Sequence, residues 1–203
     1  MASLLVATHN AGKLKEIAKL LQDVSINVVN AAQFNIPEPE ETGATFAANA
    51  ILKAEHALLF APNHYVLADD SGLEVDVLGG APGIYSARWG GANKDFNLAM
   101  QKVHDEIVQT GANPQNQSAR FICTLALAKH GEATICFEGT IEGSLTFPPR
   151  GENGFGYDPI FIANNYDITF AQMDATEKQL ISHRTQAFKK LARHLSSKLS
   201  NFY

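Results

Sequence analysis

The chain has 203 residues, 45% of them hydrophobic and 18% charged, and 16 Lys and Arg against 21 Asp and Glu leave a formal charge of −5. A chain of this length buries roughly 70% of the surface it exposes when unfolded, so it needs no disulfide or metal staple. Its two cysteines are too few for a secreted disulfide framework, and its acidic balance argues against nucleic acid as a partner while leaving room for a local phosphate pocket.

The segment before Thr8-His9-Asn10 has no basic n-region and only a short apolar run. No run elsewhere approaches the ~18 apolar residues of a membrane span. The expectation is a cytoplasmic protein with no membrane partner, forming one domain over residues 1–203.

In chain order, Ser3 to Thr8 reads as a short strand that stops at His9-Asn10-Ala11-Gly12-Lys13. Leu14, Ile17, Ala18 and Leu21 then recur at helical spacing. Val24 to Val29 reads as a second strand, and Pro37-Glu38-Pro39 marks a loop. From Thr45, residues Phe46, Ala50, Ala54 and Ala57 share one helix face, which Pro62 closes. Tyr65 to Ala68 is a buried-type strand delivering Asp69-Asp70-Ser71-Gly72 at its C-terminal end, and Leu73 to Leu78 continues extended before the breaker cluster Gly79-Gly80-Ala81-Pro82-Gly83.

Asn93 to Thr110 is helical in pattern. Arg120 to Lys129 and Ala133 to Glu138 alternate as two strands around a His130-Gly131-Glu132 turn. Gly139 to Pro149 reads as extended or turn-rich, and Gly151 to Asp158 as a glycine-rich loop. Thr176 to Leu199 is helical, with a break near Ser182-His183. Helices interspersed with strands and one hairpin define an α/β chain with a mixed sheet. Cys123 and Cys136 both sit in apolar strand-like runs and are expected as buried packing residues.

The polar loops carry the chemistry. Thr8 to Lys13 is a strand-to-helix turn, where unpaired amides and the positive end of the helix dipole favour an anion. Lys13 in that first turn opposes the dipole unless an anion is bound; a plain cap with a solvated lysine is the alternative. No Walker A loop is present. Glu40-Glu41 either lead into the Thr45 helix or ligate a metal; of Asp69-Asp70, one could form an Asx turn, but the pair suits Mg²⁺ held partly through water and phosphate oxygens. Gly151-Glu152-Asn153-Gly154-Phe155-Gly156-Tyr157-Asp158-Pro159 combines glycines for close approach with aromatics that either stack on a planar base or fold onto the core from a bulge or hairpin loop. Lys178, Ser182, His183 and Arg184 offer hydrogen-bond donors, although a solvated helix face also accounts for them. Together these segments describe a nucleotide polyphosphate site with Mg²⁺.

The segments Ala7 to Lys13, Glu40 to Phe46, Asn49 to Ala54, Ala68 to Leu73, Leu78 to Arg88, Gly154 to Pro159 and Ser182 to Arg184 stand together in one order along nearly the whole chain. In this set the chain resembles the inosine/xanthosine triphosphate pyrophosphatase family. Two positions depart from the family pattern: His9, where Gly or Asn is frequent, and Ala48, where an acidic residue is frequent.

The resemblance implies hydrolysis of ITP, dITP and XTP to monophosphate and pyrophosphate, with Mg²⁺, by a homodimer. It also implies an elongated two-lobed α/β fold, a mixed sheet with flanking helices and a substrate cleft between the lobes. Carried over residue by residue, Thr8, His9, Asn10, Ala11, Gly12 and Lys13 would hold the triphosphate, and Ser71 would touch the phosphates. Glu40 and Asp70 would bind Mg²⁺, with Asp70 also the base for the attacking water; Glu41 and Asp69 remain open as further ligands. Phe155, Gly156, Tyr157, Asp158, Lys178, His183 and Arg184 would hold base and sugar. Arg184 would donate to a 6-oxo group, and adenine's amino group there would leave such donors unpaired. The alternative is a related pyrophosphatase preferring pyrimidine or other modified nucleotides, against which the complete Gly154-to-Asp158 and Ser182-to-Arg184 segments argue.

Overall fold

The computed structural model describes residues 3–8, 10–22 and 27–199. His9 and the expected strand residues Val24, Ser25 and Ile26 lie outside the described residues. In chain order the elements are β1 (Ser3–Ala7), α1 (Ala11–Leu21), β2 (Asn27–Asn30), α2 (Phe46–Phe60), β3 (Tyr65–Val75), α3 (Phe96–Gln109), β4 (Ser118–Ala128), β5 (Ile135–Leu145), β6 (Phe161–Ala163), α4 (Ala175–Ile181) and α5 (His183–Leu199). The six strands form one sheet in the order β2-β1-β3-β4-β5-β6. β1 pairs in parallel with β2 and β3, while β5 and β6 pair antiparallel, so the sheet is mixed as expected.

The chain divides into two compact units. The first comprises Met1–Asp70, Cys123–Gly139 and Arg184–Tyr203; the second comprises Ser71–Ile122 and Thr140–His183. The boundaries fall inside β3, inside β4, inside β5 and at the start of α5.

The first unit is built on β1, whose Leu4, Leu5 and Val6 are buried on both faces of the sheet. Alternation assigns their side chains: Leu4, Val6 and Leu67 pack with Ile17 and Leu21 of α1 and Ala187, Phe188 and Leu191 of α5. Leu5, Val66 and Ala68 pack on the other face with Ala50, Ala54 and Ala57 of α2. That face is lined by alanines because α2 lies close to the strands. Thr45 caps α2, its side chain accepting from the Ala48 N–H at 3.1 Å.

The second unit centres on an aromatic group. Phe121 and Phe161 have ring centroids 4.5 Å apart, and Phe161 and Phe170 are 5.1 Å apart. Leu73, Val75, Met100, Val103 and Ile107 pack in the same core.

Three expectations change. β3 does not end at Ala68 but runs through Asp69-Asp70-Ser71-Gly72 to Val75. The polar stretch reads as a loop by composition; as strand it is sustained by Leu73 and Val75, buried beyond it, and by cationic partners for both carboxylates. β5 likewise runs past its expected end at Glu138 to Leu145, taking the extended alternative for a segment read as extended or turn-rich. Cys123 is buried, but Cys136 is exposed, since it shares a face of β5 with exposed Glu138 while Phe137 points inward. The helical break falls at Ser182, whose extended backbone separates α4 from α5.

Replacing Phe161 by Ala empties the centre of the second core. The expected cost is about 3–5 kcal/mol of unfolding free energy, read from the urea midpoint.

Candidate active site

Consecutive residues of a strand point to opposite faces, and β3 places Asp69 and Asp70 among different neighbours. Asp69 shares the face of Leu67. Its Oδ2 lies 3.0 Å from Lys13 Nζ of α1 and 3.5 Å from Arg184 Nη2 of α5. Burial by itself would lift the Asp69 carboxyl, but Lys13, Arg184 and Lys53 override it and hold the group well below the usual carboxylate range. Arg184 is 1% exposed and also pairs through Nη1 with Glu16 of α1. The N-terminal turn of α5 is thus tied to β3 and α1 by charge.

Asp70 shares the face of Ala68 and meets α2. Lys53 Nζ donates to Asp70 Oδ1 at 2.8 Å and to Glu41 Oε1 at 2.8 Å. Asn49 Nδ2 donates to Asp70 Oδ2 at 3.3 Å. Burial raises the Asp70 carboxyl above its ordinary value, and the ammonium groups of Lys53 and Lys13 only partly oppose this. For Lys53, burial works against the charged form, but Asp70, Asp69 and Glu41 keep the ammonium protonated.

The turn between β1 and α1 has the expected capping geometry. Asn10 is the cap, its Oδ1 accepting from Lys13 N–H at 3.0 Å, and Thr8 Oγ1 accepts from Asn10 N–H at 3.3 Å. The amides of Ala11 and Gly12 begin the helix, with no acceptor inside it. Lys13 turns to Asp69, which gives its unfavourable place at the helix start a structural cause.

Glu40 is exposed, whereas its neighbour Glu41 is the carboxylate joined to Asp70 through Lys53. One ammonium between two carboxylates shows that this pair converges on a single positive charge, the donor chemistry a hard cation uses. Among the described residues no group of three or more His, Cys, Asp or Glu side chains forms a metal cluster. Any Mg²⁺ here would complete its shell with water or ligand oxygens. Ser71 follows Asp70 directly and is half-buried.

In the second unit, Asp158 organises the glycine-rich loop. Its Oδ2 accepts from Phe155 N–H at 2.8 Å and from Lys178 Nζ at 2.6 Å. Gly154 has φ +75°, and a Cβ there would strike the Asp158 carboxylate. Lys178 is buried, with its Nζ 4.9 Å from the centroid of the half-buried Phe155 ring and 5.6 Å from that of Phe170. Gly156 also takes a positive φ, +69°. The Tyr157 ring is in the core, its hydroxyl donating to Ser86 O at 2.8 Å, so for this aromatic the packing alternative holds and not base stacking. His183 is buried and stacks on Phe121 at 5.0 Å between centroids.

Sequence reasoning assigned no role to Lys53, Asn49 or Glu16. Asn49 and Lys53 carried a usable signal: polar residues four apart on a helix face otherwise lined with alanine. Glu16 carried only its place one turn after Lys13.

The Ham1 family model matches residues 4–194. The chain belongs to the Ham1 family. It is 51% identical over 189 residues to the dITP/XTP pyrophosphatase of Rhodospirillum centenum, covering 93% of this chain and 92% of that protein. With the dITP/XTP pyrophosphatase of Bacillus subtilis it shares 46% identity over 198 residues, covering 97% and 98% respectively. A HAM1 protein from Coxiella burnetii has the same fold, with a TM-score of 0.88 at 39% identity, covering 97% of this chain and all of the other. The mixed sheet with flanking helices is therefore the Ham1 fold.

Asp69→Asn removes the carboxylate that Lys13 and Arg184 share and is expected to cost about 3 kcal/mol at neutral pH in urea unfolding. Because the folded-state pKa is depressed, this stabilisation is present above the unfolded value and lost as pH falls through the folded one. The gap between parent and variant should therefore narrow below about pH 4. A gap independent of pH would contradict the charge assignment.

Proposed function

We propose that this chain is a nucleoside-triphosphate pyrophosphatase acting on the non-canonical purine nucleotides ITP, dITP and XTP, releasing the monophosphate and pyrophosphate. Family membership and the names of its close relatives support the reaction. The observation that carries its chemistry is Asp70, a buried carboxylate whose two oxygens are held by Lys53 and Asn49.

Asp70 is assigned as the base that takes a proton from the water attacking the phosphoanhydride. Burial raises its pKa, which makes it a better acceptor than an exposed carboxylate, and Lys53 fixes its direction. The Ala11 and Gly12 amides and the dipole of α1 would bind phosphate oxygens, with Thr8, Asn10 and Lys13 completing that turn and Ser71 assisting. Asp70 with the Glu40-Glu41 pair would hold Mg²⁺, Glu41 being the better placed of the two. When bound, the ion neutralises charge on phosphate oxygens.

Phe155, Gly156, Tyr157, Asp158, Lys178, His183 and Arg184 are assigned to the base and sugar end. Within that set Asp158 shapes the loop, Lys178 and Arg184 are donors suited to a 6-oxo acceptor, and Phe155 supplies the ring. Glu16 and Asp69 fix the fork of Arg184, so its donors are pre-oriented. The reading also assigns a homodimer, which light scattering would test, and work on the cytoplasmic nucleotide pool.

A panel of nucleotides with and without Mg²⁺, read as phosphate after added inorganic pyrophosphatase, tests this. ITP, dITP and XTP should be hydrolysed far faster than canonical nucleotides, and only with the metal. Preferential turnover of UTP or dTTP would replace the purine reading with the pyrimidine one. Asp70→Asn should lower kcat about a hundredfold or more. In Mg²⁺ titrations followed by melting temperature, Glu41→Gln should weaken the metal response more than Glu40→Gln; the reverse order would restore Glu40 as the ligand.

A further inference from the structure

We infer that Asn49 is a positioning residue for hydrolysis, whose amide couples the loop carrying Glu40 and Glu41 to the carboxylate of Asp70. The inference rests on the reading of Asp70 as proton acceptor.

Asn49 is 0% exposed in the first turn of α2. Its Oδ1 accepts from Gly43 N–H at 2.8 Å, and its Nδ2 donates to Asp70 Oδ2 at 3.3 Å. The two partners fix the amide's orientation. A flipped amide would set NH₂ against an N–H donor and oxygen against a carboxylate. No other side chain of this size presents one acceptor and one donor so arranged; Asp would offer two acceptors and Leu neither.

The loop end of the link is as constrained as the strand end. A Cβ on Gly43 would lie 2.6 Å from Asn49 Oδ1, 2.8 Å from Ala48 Cβ and 2.9 Å from Asn49 N. Glycine is required there for the backbone to reach the amide.

Asn49 and Lys53 stand four residues apart, one above the other on α2, and divide Asp70 between them: Nδ2 on Oδ2 and Nζ on Oδ1. The same two residues reach back to the acidic loop, Asn49 to Gly43 and Lys53 to Glu41. One helix face thus sets both the direction of Asp70 and its register with the Glu40-Glu41 segment. Lys53 does this with a charge that a bound cation would compete with, whereas Asn49 does it with a neutral group that can stay in place.

The test uses Asn49→Asp, Asn49→Leu, Gly43→Ala and the double variant Gly43→Ala/Asn49→Leu in the full chain, with folding checked by circular dichroism and thermal melts. Each single variant should lower kcat for dITP by about 10- to 100-fold, the scale of a misplaced catalytic group, with KM changed less than about threefold. The double variant should be no worse than the poorer single one, because both break the same link. Calorimetric titration of the nucleotide-free protein with Mn²⁺ should show weaker binding in Asn49→Leu, Gly43→Ala and the double variant, whereas Asn49→Asp, which adds a carboxylate beside Asp70, is judged by kcat alone.

Folded variants with kcat within about twofold of the parent and unchanged Mn²⁺ affinity, or effects of Gly43→Ala and Asn49→Leu that multiply, would overturn the inference. If the Asn49 variants do not fold, Gly43→Ala decides alone by the same kcat and Mn²⁺ criteria. A parent that hydrolysed no purine triphosphate would sink the functional reading instead, and the Mn²⁺ titrations would still judge Asn49.

Discussion

The alternation of β3 at Asp69 and Asp70 is the constraint on which the site depends. Two carboxylates next to each other in a flexible loop would share one environment and repel. In a strand they face opposite ways, and the two faces of the sheet supply different partners. α1 and α5 meet Asp69 with Lys13 and Arg184, and α2 meets Asp70 with Lys53 and Asn49. The first carboxyl is driven below its ordinary pKa and the second above it. Divergent environments for paired titratable groups are how proteins divide a structural charge from a reactive one. Here the divergence of the two environments follows from a period of two in the backbone.

Much of the fold was legible because its signals are local. Leu4 to Val6, the alanine face of α2 and the break at Ser182 each follow from patterns within a few residues. The strand that carries the site was misread for an equally local reason. Asp-Asp-Ser-Gly has turn chemistry, and the cations that let it stay extended come from Lys13 and Lys53, distant in sequence. Cys136 failed similarly, since strand-like composition does not say which face of β5 points to solvent.

The site was legible as a set of segments and less so as a set of contacts. Resemblance to a family selects positions, but geometry assigns their tasks. Tyr157 lies in the segment expected to hold the base and spends its ring on the core and its hydroxyl on Ser86. Asp158 spends its carboxylate on Lys178 and the Phe155 amide. Lys53 and Asn49 stand in the Asn49-to-Ala54 segment without a role legible in either residue alone, because their importance lies in being four apart and facing the same carboxylate.

These pairings also explain how an acidic chain can keep buried cations. Lys13, Lys53, Lys178 and Arg184 have side chains only 2–15% exposed, and each is matched to a carboxylate. Buried ion pairs are poor stabilisers, because desolvation offsets much of their attraction, so stability alone does not account for four of them. Their value lies in keeping cations desolvated and fixed before a ligand arrives. Each of these cations is already stripped of water and fixed, and the Asp70 and Glu41 carboxylates that hold Lys53 are the type of group a divalent cation engages. The net charge of −5 therefore includes acids that hold these buried cations in place.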